Sequence, residues 1–167
     1  FKIYHRVSEG YLAVEETSLL DKSDSISLFV EKNNKTSNSL WELQREAAFV
    51  GGVACWNERF RIKHLATGMF LQEQEEEIKL VPEAYQKGTL FTLEPDFETP
   101  EESIRFGMIL TVKTESFKFL KVKEPSKSHS FVSRNQKQKL GIDLSLNKKD
   151  YSGVAFVIED VLETQTE

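Results

Sequence analysis

Few residues in this chain are of a type and spacing that performs chemistry. His5 and His64 stand at the ends of two similar strings, Phe1-Lys2-Ile3-Tyr4-His5 and Phe60-Arg61-Ile62-Lys63-His64. An imidazole there could shuttle a proton or bind a metal. No His-x-His, His-Glu-x-x-His or Cys-x-x-Cys spacing accompanies them, so a metal site is not expected. Their recurrence at matching positions assigns them to structure, with the ring closing a turn by hydrogen bonding to backbone. His129 lies in a polar run and has no partner in the pattern. Cys55, the only cysteine, sits between Ala54 and Trp56 with no His or Asp at a catalytic spacing, which reads as a buried thiol rather than a nucleophile.

Other strings start like sites and then depart from them. Asp21-Lys22-Ser23-Asp24-Ser25-Ile26 opens like a calcium loop, but Ile26 stands where the sharp turn needs Gly and Lys32 where a bidentate Glu is required. Gly51-Gly52 is followed by neither a lysine nor a helix signal, so it is no phosphate cradle. The carboxylates of Glu73 to Glu77 and Glu101-Glu102 read as solvated faces. Asn34-Lys35-Thr36 is a glycosylation sequon, usable only in a lumenal protein. Lys118, Lys121, Lys123, Lys127, Arg134, Lys137 and Lys139 form a basic stretch that could meet an acidic partner or lipid head groups, and otherwise reads as a solvated face.

The elements that would position these residues follow from a repeat. Phe1 to Leu12 and Phe60 to Leu71 share the order apolar, basic, Ile, polar, His, turn, aromatic, Leu, and Ile109 to Leu120 is a weaker third copy. Each predicts a strand, a tight turn and a returning strand, with Gly marking the first two turns. A second marker recurs as Leu40-Trp41-Glu42-Leu43, Leu90-Phe91-Thr92-Leu93 and Ala155-Phe156-Val157-Ile158. Between the markers lie Ile26 to Val30, Ile78 to Val81, and Leu140 to Leu146, the last with Leu140, Ile142, Leu144 and Leu146 on one face. Three units of four strands predict an all-β, β-trefoil domain of about twelve strands over residues 1–162. The repeats fall at about 1–59, 60–108 and 109–162, and a linker begins at 163–167. Trp41, Trp56, Phe60, Phe91 and Phe156 are expected in the core or its cap. Pro82-Glu83-Ala84-Tyr85 is expected to form one helical turn.

Composition bounds the rest. The 167 residues carry a formal charge of −5, with 12 phenylalanines, and Phe favours strands and buries a large area. Interspersed charges of this balance argue against nucleic-acid binding. No apolar run approaches the 18 or so residues of a membrane helix, so no direct membrane insertion is expected. The chain starts without methionine or a basic-then-apolar leader, as expected of a piece of something larger.

The strings Leu40-Trp41-Glu42-Leu43, Gly51-Gly52, Trp56-Asn57 and Phe60-Arg61-Ile62-Lys63-His64-Leu65-Ala66-Thr67-Gly68 resemble the MIR domain, a β-trefoil. The nearest resemblance is to that of inositol 1,4,5-trisphosphate receptors, with ryanodine receptors as relatives. The resemblance implies a non-catalytic, cytosolic domain of a tetrameric calcium-release channel of the endoplasmic reticulum. It implies no cofactor, and an inositol phosphate ligand in a cleft shared with a following helical domain. In that family an Arg-Thr-Thr-Gly-Arg segment follows the strand equivalent to Ile26 to Val30. Here the place reads Val30-Glu31-Lys32-Asn33-Asn34-Lys35-Thr36, so both arginines are replaced. The implied ligand residues are Lys32 and Lys35, with Lys2 at a basic position of the first strand. MIR domains also occur in protein O-mannosyltransferases and small lumenal proteins, where the domain would be an accessory recognition module. A pure interface domain, packed on a neighbouring subunit, is a third possibility.

Overall fold

The computed structural model describes residues 1–16, 26–32, 37–47, 52–95, 98–123, 140–146 and 154–160. In chain order the strands are β1 (Lys2–His5), β2 (Gly10–Glu16), β3 (Ile26–Glu31), β4 (Trp41–Arg45), β5 (Arg59–His64), β6 (Phe70–Gln74), β7 (Glu77–Val81), β8 (Phe91–Pro95), β9 (Ile109–Thr114), β10 (Phe119–Val122), β11 (Leu140–Ser145) and β12 (Phe156–Glu159), with a short 3₁₀ turn at Ser37–Ser39. Lys35, Asn34, Asp21 to Ser25, His129, the basic stretch from Lys127 to Lys139 and the linker at 163–167 lie outside the described residues.

Six strands form a closed ring. β1 pairs with β12, β12 with β9, β9 with β8, β8 with β5, and β5 with β4, all antiparallel. The ring closes where Trp41 N–H donates to Phe1 O at 3.0 Å and the Phe1 backbone nitrogen donates to Trp41 O at 3.1 Å. The remaining strands make three hairpins, β2–β3, β6–β7 and β10–β11. They converge as a cap, in which β11 pairs with β3 and β7 packs against both. A six-stranded barrel capped by three hairpins is the β-trefoil that the repeat predicts, and its closure leaves the barrel no exposed edge.

Period-two alternation decides what the barrel encloses. Inward positions carry Ile3, Phe60, Ile62, Leu110, Val112, Trp41, Phe91, Leu93, Phe156 and Ile158, all buried in one core, and Leu12, Val30, Leu71, Leu120 and Val122 seal it from the cap. Trp56 packs on this core but stays partly exposed. The alternating Leu140, Ile142 and Leu144 also pack against it, whereas Leu146 is exposed.

Two local expectations change. Pro82 to Tyr85 forms a bend and turn and not a helical turn, and the Ala84 carbonyl accepts from two side chains, Arg61 Nε at 2.6 Å and Thr89 Oγ1 at 2.8 Å. In the turn between β1 and β2 the left-handed residue is Glu9, at φ 54°, and not the glycine beside it. Gly10 serves close approach instead, since a Cβ there would come within 2.4 Å of Val30 Cγ1.

Candidate ligand face and the seams that hold it

Each barrel junction between units is built alike. The aromatic that opens the last strand of one unit pairs with the residue that ends the first strand of the next: Trp41 with His64, Phe91 with Thr114, and Phe156 with His5. In two seams the aromatic packs on an imidazole, with ring centroids 4.9 Å apart for Trp41–His64 and 5.3 Å for His5–Phe156. His64 Nε2 lies 2.8 Å from Asn38 O, a pure acceptor, so Nε2 carries the proton. Nδ1 then accepts from Thr67 Oγ1 at 2.8 Å, and Thr67 Oγ1 accepts from Met69 N–H at 3.3 Å. His5 Nδ1 accepts from Ser8 N–H at 3.3 Å and lies 2.6 Å from Ser8 Oγ. Both rings bind the residue three places on, through its hydroxyl and, for His5, also its backbone. Both are buried and spent on turn closure, which leaves neither positioned for proton transfer.

Lys2 lies on the outer face of β1, at the barrel's closing seam. Its antiparallel partner on β12 is Glu159. The Lys2 ammonium lies 5.3 Å from the centroid of the Tyr11 ring, whose hydroxyl donates to Glu159 Oε2 at 2.9 Å. Tyr4, opposite Tyr11, tilts against it with centroids 5.1 Å apart. On the far side of Tyr11 stands Glu31, and the exposed Lys32 follows it. The register therefore sets Lys2, Tyr4, Tyr11, Glu31 and Glu159 on one outer face of the fold.

In the run Glu73 to Glu77 the carboxylates of Glu75, Glu76 and Glu77 are the expected solvated face, whereas the half-buried Glu73 is tied to another unit. Glu73 accepts from Ser116 Oγ at 2.6 and 2.7 Å through its two oxygens, Glu115 accepts from Gly88 N–H at 2.7 Å, and Lys118 pairs with Glu76 at 3.6 Å. These contacts fasten the second hairpin to the turn after β9 and border an open cleft of about 540 Å³. The signal for this clasp in the sequence is Gly88: at φ 87°, a Cβ there would stand 2.2 Å from Glu73 O.

Arg61, an outward position of β5, is buried because the turn after Pro82 folds over it. Its guanidinium donates to Ala84 O and Glu46 O and lies 5.0 Å from the Tyr85 ring centroid. The partly exposed Cys55 points its thiol at Val53 O, at 3.7 Å. Among the described residues no group of His, Cys, Asp and Glu could hold a metal ion, and no helix is long and apolar enough to cross a membrane.

Comparison with known proteins gives the family. The family model described as MIR domain matches residues 1–138. The inositol 1,4,5-trisphosphate receptor itr-1 of Caenorhabditis elegans is 41% identical over 90 residues, which cover 48% of this chain and 3% of that receptor. Among solved structures, an SDF2-like protein from Arabidopsis thaliana superposes with a TM-score of 0.74 at 12% identity, covering 93% of this chain and 89% of that one. The S. cerevisiae protein O-mannosyltransferase Pmt1-Pmt2 complex bound to the sugar donor matches with a TM-score of 0.75 at 11% identity, over 95% of this chain and 24% of that one. A designed 3-fold symmetric protein, ThreeFoil, matches at 0.64 and 13% identity, over 96% and 97%. At such identities the structural likenesses speak for the fold alone. The sequence strings, the trefoil ring and the match over residues 1–138 agree: this chain belongs to the MIR domain family.

Proposed function

We propose that this domain is a non-catalytic, cytosolic part of an inositol trisphosphate receptor-like calcium-release channel of the endoplasmic reticulum, where it helps form the ligand-binding and gating region. The observation that carries the reading is the 41% identity over 90 residues to a receptor of that class. Lys2, Lys32 and Lys35 supply positive charge to one side of the ligand, and a following helical domain supplies the other. A ligand that bridges the two binds their closed arrangement more tightly than the open one, and that difference in affinity is what biases the pore. The barrel, closed and filled by one core, acts as a rigid lever.

Calcium release from vesicles carrying the full-length protein tests this. Inositol 1,4,5-trisphosphate should release calcium, and replacing Lys32 and Lys35 together by alanine should shift the dose–response to higher ligand. Release that the double replacement leaves unchanged favours a pure interface role for the domain.

A second reading makes the domain an accessory recognition module of an O-mannosyltransferase-like or lumenal protein. Its support is the fold likeness to the Pmt1-Pmt2 complex, with a TM-score of 0.75. A glycan on Asn34 of the cellular protein, found by mass spectrometry, would favour that reading over the channel.

A further inference from the structure

Two rows of charge face each other on the outer side of the barrel, where β4 pairs with β5. On β5 the alternating positions Arg59, Arg61 and Lys63 are all basic. Arg59 pairs with Glu46 at 2.9 Å, and the register sets Gln44 opposite Arg61 and Glu42 opposite Lys63. Both ends of the basic row therefore meet a carboxylate, and the middle meets a neutral amide. Yet Arg61 is the buried member of the row, only 9% exposed, and a buried charge is costly without a counter-charge. The other described arginines pair with a carboxylate, as Arg45 does with Glu58 and Arg105 with Glu101, or stand in solvent like Arg6. Among the described residues no carboxylate pairs with Arg61. Its Nε and Nη1 each donate to a backbone carbonyl, Ala84 O and Glu46 O. The second Nη1 hydrogen and both of Nη2 remain, in the forked geometry that fits a carboxylate. The Tyr85 ring, 83% exposed, stacks over the guanidinium with its centroid 5.0 Å away.

We propose that Arg61 and Tyr85 form a docking site for an acidic polypeptide segment, one Asp or Glu of which fills the unmatched middle of this charge ladder. The ladder holds three cations, Arg59, Arg61 and Lys63, against two carboxylates, Glu42 and Glu46. The turn over it adds Glu83 and Lys87, which offset each other. One carboxylate balances the surplus charge, whereas a phosphate dianion exceeds it and is repelled by Glu42 and Glu46 on either side of Gln44. The carboxylate takes the Nη1–Nη2 fork, and the exposed Tyr85 ring is covered by the apolar atoms of the same segment. Tyr and Arg are the side chains that carry much of the binding energy at protein interfaces. Here the ring stack and the two backbone carbonyls already hold the guanidinium in place, so docking orders little that was free.

Photocross-linking in the full-length protein tests this. Tyr85 is replaced by p-benzoylphenylalanine, which keeps an aromatic ring beside Arg61, and mass spectrometry identifies the cross-linked segment. That segment should carry an Asp or Glu within a residue or two of the cross-link. Gln44→Glu supplies the absent carboxylate from the domain's own β4, so it should lower the cross-link yield about tenfold. Gln44→Ala adds no charge and should leave the yield as it is. Replacing the cross-linked acid by its amide should lower the yield as Gln44→Glu does, with this domain untouched. Circular dichroism checks that each variant is folded. If Arg61 serves only to fasten the turn after Pro82, neither Gln44→Glu nor the amide changes the yield, and that result overturns the proposal. So does the absence of a cross-link to polypeptide, a cross-link to a segment without an acid, or an equal loss in Gln44→Ala.

Discussion

Replacing His64 by alanine is the sharpest test of the seam between the first and second units. The ring is 1% exposed, so the change is made wholly inside the core. It removes the Nε2–H donor from Asn38 O and the Nδ1 acceptor from the Thr67 hydroxyl, both at 2.8 Å. Each hydrogen bond contributes about 1 kcal/mol net, and leaving a buried partner unpaired costs about 1–3 kcal/mol. The tilted contact with Trp41, at 4.9 Å, adds about 0.5–1.5 kcal/mol. These effects overlap, because one ring makes them all, so the expected loss is about 3–5 kcal/mol. That is a large share of the 5–15 kcal/mol that holds an ordinary domain folded. In a chain of this size it should lower Tm by about 10 °C. Urea unfolding followed by Trp fluorescence gives the free energy directly, with the slope as a check on two-state behaviour. His5→Ala should cost less, about 2–3 kcal/mol, since its ring sits farther from Phe156, at 5.3 Å, than that of His64 from Trp41. A loss below about 1 kcal/mol for His64→Ala with an unchanged slope would refute the idea that the seam imidazoles are structural, and a larger loss for His5→Ala would refute their ranking.

Two further outcomes follow from the same geometry. Gly88→Ala forces a side chain into a left-handed backbone and brings its Cβ to 2.2 Å from Glu73 O; it should destabilise by more than about 2 kcal/mol, and a neutral result in thermal melts would show that the clasp gives way easily. Calorimetry on the isolated domain should find inositol trisphosphate binding weaker than micromolar. A micromolar site needs about 8 kcal/mol, each charge-assisted bond supplies about 1.5–3 kcal/mol, and lysine lacks the bidentate fork of arginine. Submicromolar binding would contradict that arithmetic.

The barrel was legible because its signals are local and repeated. An inward face needs an apolar residue at every second position, so Phe60-x-Ile62 and Leu110-x-Val112 announce strands without any knowledge of their partners. His5 and His64 announced their role by recurrence, and the structure adds the hydroxyl three residues on as the common partner. The aromatic markers were visible as a series, although their pairing with the next unit's His or Thr was not. Arg61 shows where the reading stops. Its alternation says outward and exposed, yet the turn after Pro82 closes over it and takes one of its donors. Glu73 is similar: a run of glutamates looks solvated until Ser116 arrives from another unit.

The sequence by itself determined the strand order, the apolar alternation, the three aromatic markers and the family strings, because each depends on neighbours a few residues away. Tertiary structure alone decided what surrounds the candidate ligand residues. Lys2 meets Glu159 only because the first strand pairs with the last, and Tyr11 bonds Glu159 only because a hairpin folds back over that seam. Electrostatic character at a surface depends on distances through space, and closing the barrel is the step that sets them.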